Sequence, residues 1–207
     1  MAEYHISGPL TEEAIRNLRI GDSVTLSGKG FTCRSKLQRY IFDEGHTLPF
    51  PTTERNILIH SGPIVVWENN MWRLVSFMPT SSIRFEKWGA KSIDAWGLRM
   101  IVGKTTMGAD TTAMMKKNGC VHVSPQSVSP QLWIDSIKIE DVHLFDELGT
   151  IEAAWQVEFS SLGPFIVDID TEGNNLFDRI DQKVAANRKR ALERLGVAED
   201  FEYTKLY

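Results

Sequence analysis

Cysteine is scarce in this chain: 207 residues hold two, Cys33 and Cys120, each standing alone. Isolated thiols exclude a secreted scaffold built on disulfides, and they form no self-contained zinc or iron–sulfur motif, which needs grouped ligands. Long apolar runs are missing too. No stretch approaches the roughly 20 residues that span a bilayer, and the opening MAEYHISGPL lacks the basic end and apolar core of a signal peptide. The expectation is a cytoplasmic chain with no membrane segment. Nor is there an excess of positive charge. With 23 Lys and Arg against 27 Asp and Glu, the formal net charge is −4, which argues against a nucleic-acid partner. The Arg188-Lys189-Arg190 run reads as a solvated face near a helix C-terminus, where cations are favoured.

What is present suits an ordinary globular protein: 42% hydrophobic and 24% charged residues. Residues 1–207 show no repeat, low-complexity tract or linker, and one α/β domain with a mixed sheet and flanking helices is the economical expectation. Thr11 is placed to cap a short helix with Glu12 and Glu13 in its first turn. Segment 22-DSVTLSG-28 alternates like a half-buried strand, and 33-CRSKLQRYIFDEG-45 has helical spacing stopped by Gly45. Strand signals follow at 57-ILIHSGP-63, in a hairpin over 64-IVVW-67 and 72-WRLVSF-77, and at 98-LRMIVG-103. A Gly108-started helix and a strand from Cys120 to Val123 come next. Strand-like runs occupy 137–145, 150–159 and 165–170. A C-terminal helix is expected over 175–196, with Leu176, Ile180, Val184, Ala191 and Leu195 on one broad face and 197–207 as a tail.

Within 76-SFMPTSSIRFEKW-88, the six residues Pro79 to Arg84 place three hydroxyls and an arginine where a strand gives way to a helix. Ser81 or Ser82 can cap that helix, or the hydroxyls and free N–H groups, with Arg84, can hold an anion. Two further junctions look alike: Arg34 follows one strand and Lys104 another. Ligands of open α/β sheets gather outside the carboxyl ends of strands. If these ends lie side by side, two guanidinium forks and an ammonium suit a dicarboxylate. His60, at a strand end, reads as a hydrogen-bonded structural histidine. Cys33 reads as a small apolar filler, or as a thiol acidified by Arg34.

The same junctions carry a family resemblance. The chain resembles the β subunit, or C-terminal domain, of class I iron–sulfur fumarate hydratases and L(+)-tartrate dehydratases. The family's Gly-Pro-Thr-Thr-Ser-x-Arg-Met-Asp motif stands here as 78-MPTSSIRFE-86, and its Ile-Gly-Lys-Gly motif as 102-VGKT-105. Its Gly-x-x-Glu-Ala-x-Trp segment stands as 149-GTIEAAW-155, and its Asp-x-x-Gly-Asn segment as 170-DTEGN-174.

The resemblance implies a swivelling β/β/α domain and the β subunit of a heteromeric hydro-lyase acting on a hydroxy-dicarboxylate of the fumarate/malate or tartrate type. It implies an α subunit whose cysteines hold a four-iron cluster; this chain would bind no metal. Carried over by position, Arg34, Thr80, Arg84 and Lys104 would bind substrate and Ser81 would move a proton. The departures are Ser35 for an aspartate, Gln38 for a histidine, Met78 for a glycine and Thr105 for a glycine. Losing a carboxylate and an imidazole also fits an altered descendant that binds an organic anion or regulates a partner.

Overall fold

The computed structural model describes residues 1–127, 129–198 and 201–202. Its nine strands in chain order are β1 (Glu3–Ser7), β2 (Ser23–Thr32), β3 (Ile57–Ile59), β4 (Ile64–Glu68), β5 (Met71–Ser76), β6 (Met100–Val102), β7 (Val121–Pro125), β8 (Ile137–His143) and β9 (Ala154–Ile169). The α-helices are α1 (Glu12–Arg16), α2 (Ser35–Phe42), α3 (Glu86–Trp96), α4 (Ala109–Asn118), α5 (Phe145–Leu148) and α6 (Leu176–Arg194).

Seven strands form one sheet in the order β1-β2-β3-β6-β7-β9-β8, and β4 and β5 form a separate hairpin. The β1-to-β7 side is parallel, while β9 runs antiparallel to β7, β8 and β2. Because β9 pairs with β7 near Ile169 and with β2 from Ile166 to Gln156, the sheet curls back on itself. The mixed α/β architecture read from the sequence is the one found.

Alternation explains the layers. In β3, Ile57 and Ile59 enter one apolar cluster and Leu58 the other; Met100, Val102 and Ile101 of β6 divide in the same way. Strands buried on both faces read as continuous apolar runs. Beneath α2, α3 and α4, Leu37, Ile41, Ile93, Trp96 and Met115 pack on Phe31, Leu58 and Ile101. Thr11 caps α1 as expected, its Oγ1 accepting from the Ala14 amide at 3.2 Å. Gly97 and Gly119 end α3 and α4 at φ of +58° and +67°, backbone that glycine adopts without a Cβ clash.

Three expectations shift. The runs at 150–159 and 165–170 are one strand, β9, which starts only at Ala154. The helix expected over 33–45 is shorter, spanning Ser35–Phe42. The apolar face of α6 is left open by the described residues: none of the helix's residues is buried. Among the described residues, no helix is long and apolar enough to cross a membrane.

Candidate functional site

Strands β2, β3 and β6 are adjacent and parallel, so their carboxyl ends stand about 4.8 Å apart. Arg34 follows β2, His60-Ser61-Gly62 follow β3, and Gly103-Lys104 follow β6. The Thr80–Arg84 turn does not leave a strand of this sheet. It arrives from the β4–β5 hairpin and is laid across the strand ends by main-chain bonds. The Thr80 amide donates to the His60 carbonyl at 2.6 Å, the Lys104 amide to the Thr80 carbonyl at 2.9 Å, and the Ser82 amide to the Lys104 carbonyl at 2.8 Å. Ser81 and Lys104 thereby pair as a short parallel bridge.

Thr80, Ser81, Arg84 and Lys104 are thus brought together, and Arg34 stands at the end of the strand next to β3. Arg84 is exposed, and its Nη2 donates to Thr80 Oγ1. Arg34 is aimed from behind: its Nε lies 3.2 Å from Glu152 Oε1, and Glu152 Oε2 accepts from the Lys36 amide at 2.8 Å. Glycine at position 62 makes room for this arginine, since a Cβ there would fall 3.0 Å from Arg34 Cδ and 2.4 Å from the Ile151 carbonyl.

Neither serine caps a helix with its side chain. Residues Ser82–Phe85 form a 3-10 turn ahead of α3, and Ser81 occupies its N-cap without a side-chain bond. The Ser82 hydroxyl is instead buried, 2.9 Å from His60 Nδ1 and 2.7 Å from His122 Nε2. His122 Nδ1 lies 2.5 Å from Asp168 Oδ1, and Asp168 Oδ2 lies 2.5 Å from Ser124 Oγ. All of Ser82, His60, His122 and Asp168 are buried. Sequence reasoning flagged His60 and gave Ser82 to a helix cap or an anion, but missed His122 and Asp168. Their signal was a polar residue inside an apolar run: His122 in 121-VHVSP-125 and Asp168 in 165-FIVDID-170.

Burial holds the His60 imidazole well below the ordinary histidine range, with His122 and Arg84 adding to the effect. Burial also pushes the Cys33 thiol up, reinforced by Glu152, which corrects the idea of a thiol acidified by Arg34. Cys120 is pushed up as well, again by burial. Such thiols resist becoming the thiolates a cluster needs. Among the described residues no three His, Cys, Asp or Glu gather as metal ligands. An iron–sulfur cluster therefore does not fit the described residues. Gln38 has turned inward, its Nε2 donating to Ser92 Oγ at 3.2 Å, so it serves packing between α2 and α3.

Comparison with known proteins gives the family of the chain. A family profile described as the fumarase C-terminus matches residues 2–180. The chain belongs to the fumarase C-terminus family. This family member is 33% identical over 190 residues to the L(+)-tartrate dehydratase subunit beta of Escherichia coli strain K12, covering 91% of the chain and 90% of that protein. It is 32% identical over 179 residues to a putative L(+)-tartrate dehydratase subunit beta of Methanocaldococcus jannaschii, covering 84% and 91%. A putative fumarate hydratase class I of Geobacillus stearothermophilus aligns at 32% identity with 92% of the chain, though with only 35% of its own length.

Proposed function

We propose that this chain is the β-type subunit of a hydro-lyase that adds or removes water on a small hydroxy-dicarboxylate of the fumarate/malate or tartrate type. One observation carries the reading: the Thr80–Ser82 main chain is zipped to Lys104 and to the end of β3, with Arg34 on the neighbouring strand end. Arg34 and Arg84 each present a planar fork suited to a carboxylate, and Lys104 adds a compact charge at the end of β6. Thr80 Oγ1, already held by Arg84, offers a hydroxyl to the substrate, and Ser81 exchanges the proton on the carbon beside the reacting hydroxyl. An α-type partner completes the site and carries the iron–sulfur cluster, for which the described residues offer no fitting ligand set. The names of the tartrate dehydratase relatives, each a subunit beta, support such a division. The test is co-expression with an α-type subunit and an anaerobic assay on fumarate, malate and both tartrate enantiomers. A cluster-loaded complex inert toward all of them refutes the reading.

The inward turn of Gln38 and the solvent-facing Ser35 favour a second reading, a descendant that binds an organic anion without catalysis. Calorimetry on the chain alone separates the two. Tight dicarboxylate binding with no partner supports the binder, and absence of binding removes it.

A further inference from the structure

A buried chain of polar groups runs beneath the turn that bears Thr80, Ser81 and Arg84, and its proton arrangement follows from the carboxylate at its far end. The Asp168 carboxylate only accepts, so a neutral His122 has its proton on Nδ1 and takes the Ser82 proton at Nε2. That leaves Ser82 Oγ to accept from His60 Nδ1–H and leaves His60 Nε2 bare. His60 Nε2 is buried and has no hydrogen-bond partner among the described residues.

The order Asp168–His122–Ser82 resembles that of a hydrolase triad, but Ser82 is 0% exposed, and no substrate carbonyl reaches its oxygen. The chain of bonds does something else. His122 on β7 and Asp168 on β9 are fixed to paired strands of the sheet, while Ser82 lies between Thr80 and Arg84 on the turn. His60 grips that turn twice, by its ring to Ser82 and by its carbonyl to the Thr80 amide. Gly103 leaves the space: a Cβ there would fall 1.7 Å from Ser82 Oγ and 3.0 Å from His122 Nε2.

We propose that Asp168, His122, Ser82 and His60 form a one-directional hydrogen-bond relay that sets the position of the Thr80–Arg84 turn, which makes Ser82 a positioning residue for carboxylate binding there. The kinetic arm of its test rests on the hydro-lyase reading; the spectroscopic arm does not. Ser82→Ala removes the central hydroxyl, and Gly103→Ala, which replaces no relay residue, drives a methyl against it. In the complex with the α-type partner, each raises KM for the dicarboxylate about tenfold and also lowers kcat, because Ser81 moves with the turn. Asp168→Ala does the same. Asp168→Asn keeps KM within about threefold of wild type, because its amide oxygen still accepts from His122 while its NH2 donates to Ser124, whose hydroxyl lies 3.0 Å from the Thr105 carbonyl.

Wild-type KM in Ser82→Ala, or a loss confined to kcat, overturns the proposal. In the full chain alone, nitrogen NMR of the imidazoles shows His122 and His60 protonated at Nδ1 and bare at Nε2. The Thr80 to Arg84 amide signals shift in Ser82→Ala and stay in place in Asp168→Asn. A His122 Nε2–H, or unmoved amides in Ser82→Ala, sinks the relay whether or not the complex is a hydro-lyase. An inactive wild-type complex with these spectra in place removes only the functional reading.

Discussion

Glu152 and Arg34 are joined by a contact of 3.2 Å, and the same carboxylate accepts the Lys36 amide. One side chain therefore aims a guanidinium and caps the first turn of α2. The pair is mostly shielded, with side-chain exposures of 26% for Arg34 and 14% for Glu152, so solvent screens it less than a surface pair. Glu152→Gln keeps an acceptor for Lys36 but removes the charge. We expect KM for a dicarboxylate to rise by about three- to tenfold and stability to fall by no more than about 1 kcal/mol. Gly62→Ala, which drives a methyl toward Arg34 Cδ, should raise KM at least as much. Kinetics of the complex and thermal melts of the chain check both.

Thr105 stands where the family has glycine, and the structure shows its cost. Its φ is +63°, in the left-handed region where a β-branched residue is strained by about 1–2 kcal/mol. The hydroxyl recovers part of this by donating to the Lys104 carbonyl at 2.5 Å. Thr105→Gly relieves the strain and adds chain entropy to the unfolded state. The expected outcome is a net stabilisation of up to about 1 kcal/mol, read from urea midpoints. Destabilisation would show that the hydroxyl contact outweighs the backbone.

Apolar runs broken by glycine and proline made most of the strands legible, because a strand buried on both faces has no polar side to confuse it. Thr11 announced α1 through its own cap. The β9 strand was split in the reading because Gly163 and Pro164 interrupt it, yet pairing with β2 and β7 carries it through. The cations were legible because they lie beside turn signals. What joins them was not: the Ser81–Lys104 bridge forms between segments far apart in sequence, and no local pattern encodes it. Ser82 was misjudged for the same reason. A local rule assigned its hydroxyl to the helix that follows, while His60 and His122, both distant in sequence, claimed it.

The depressed imidazole of His60 makes stability depend on pH with a definite sign. In the folded chain it stays neutral; in the unfolded chain it takes a proton below about pH 6.5. The unfolded state then binds more protons, so stability falls as pH drops below that point, by at most about 1.4 kcal/mol per pH unit for this one group. His60→Asn, which preserves a donor toward Ser82, should flatten the slope between pH 7.5 and pH 5.5 in urea titrations. An unchanged slope would assign the dependence to other groups.

Cys33 and Cys120 are buried, and both thiols are held above their ordinary range by burial. Only the thiolate attacks a disulfide reagent, so neither should react with an aromatic disulfide at pH 8 while the chain is folded. Both should react at once in denaturant. Rapid modification of one thiol in the native chain would show that its element opens locally on the assay timescale.

Arg84 and Thr80 share a contact, Nη2 to Oγ1, which makes their roles separable only as a pair. Arg84→Lys keeps the charge and loses the fork, and a point charge cannot hold a carboxylate and a threonine in one plane. The expected rise in KM is about tenfold. Thr80→Val removes the acceptor that orients Arg84 and the hydroxyl offered to substrate, with a rise of similar size. Once the fork is gone, the threonine has less to orient, so the double variant should lose less than the sum of the two, with a coupling of at least about 0.5 kcal/mol. Strict additivity in the complex would mean that Arg84 and Thr80 meet the substrate independently and that their contact belongs to the unliganded turn alone.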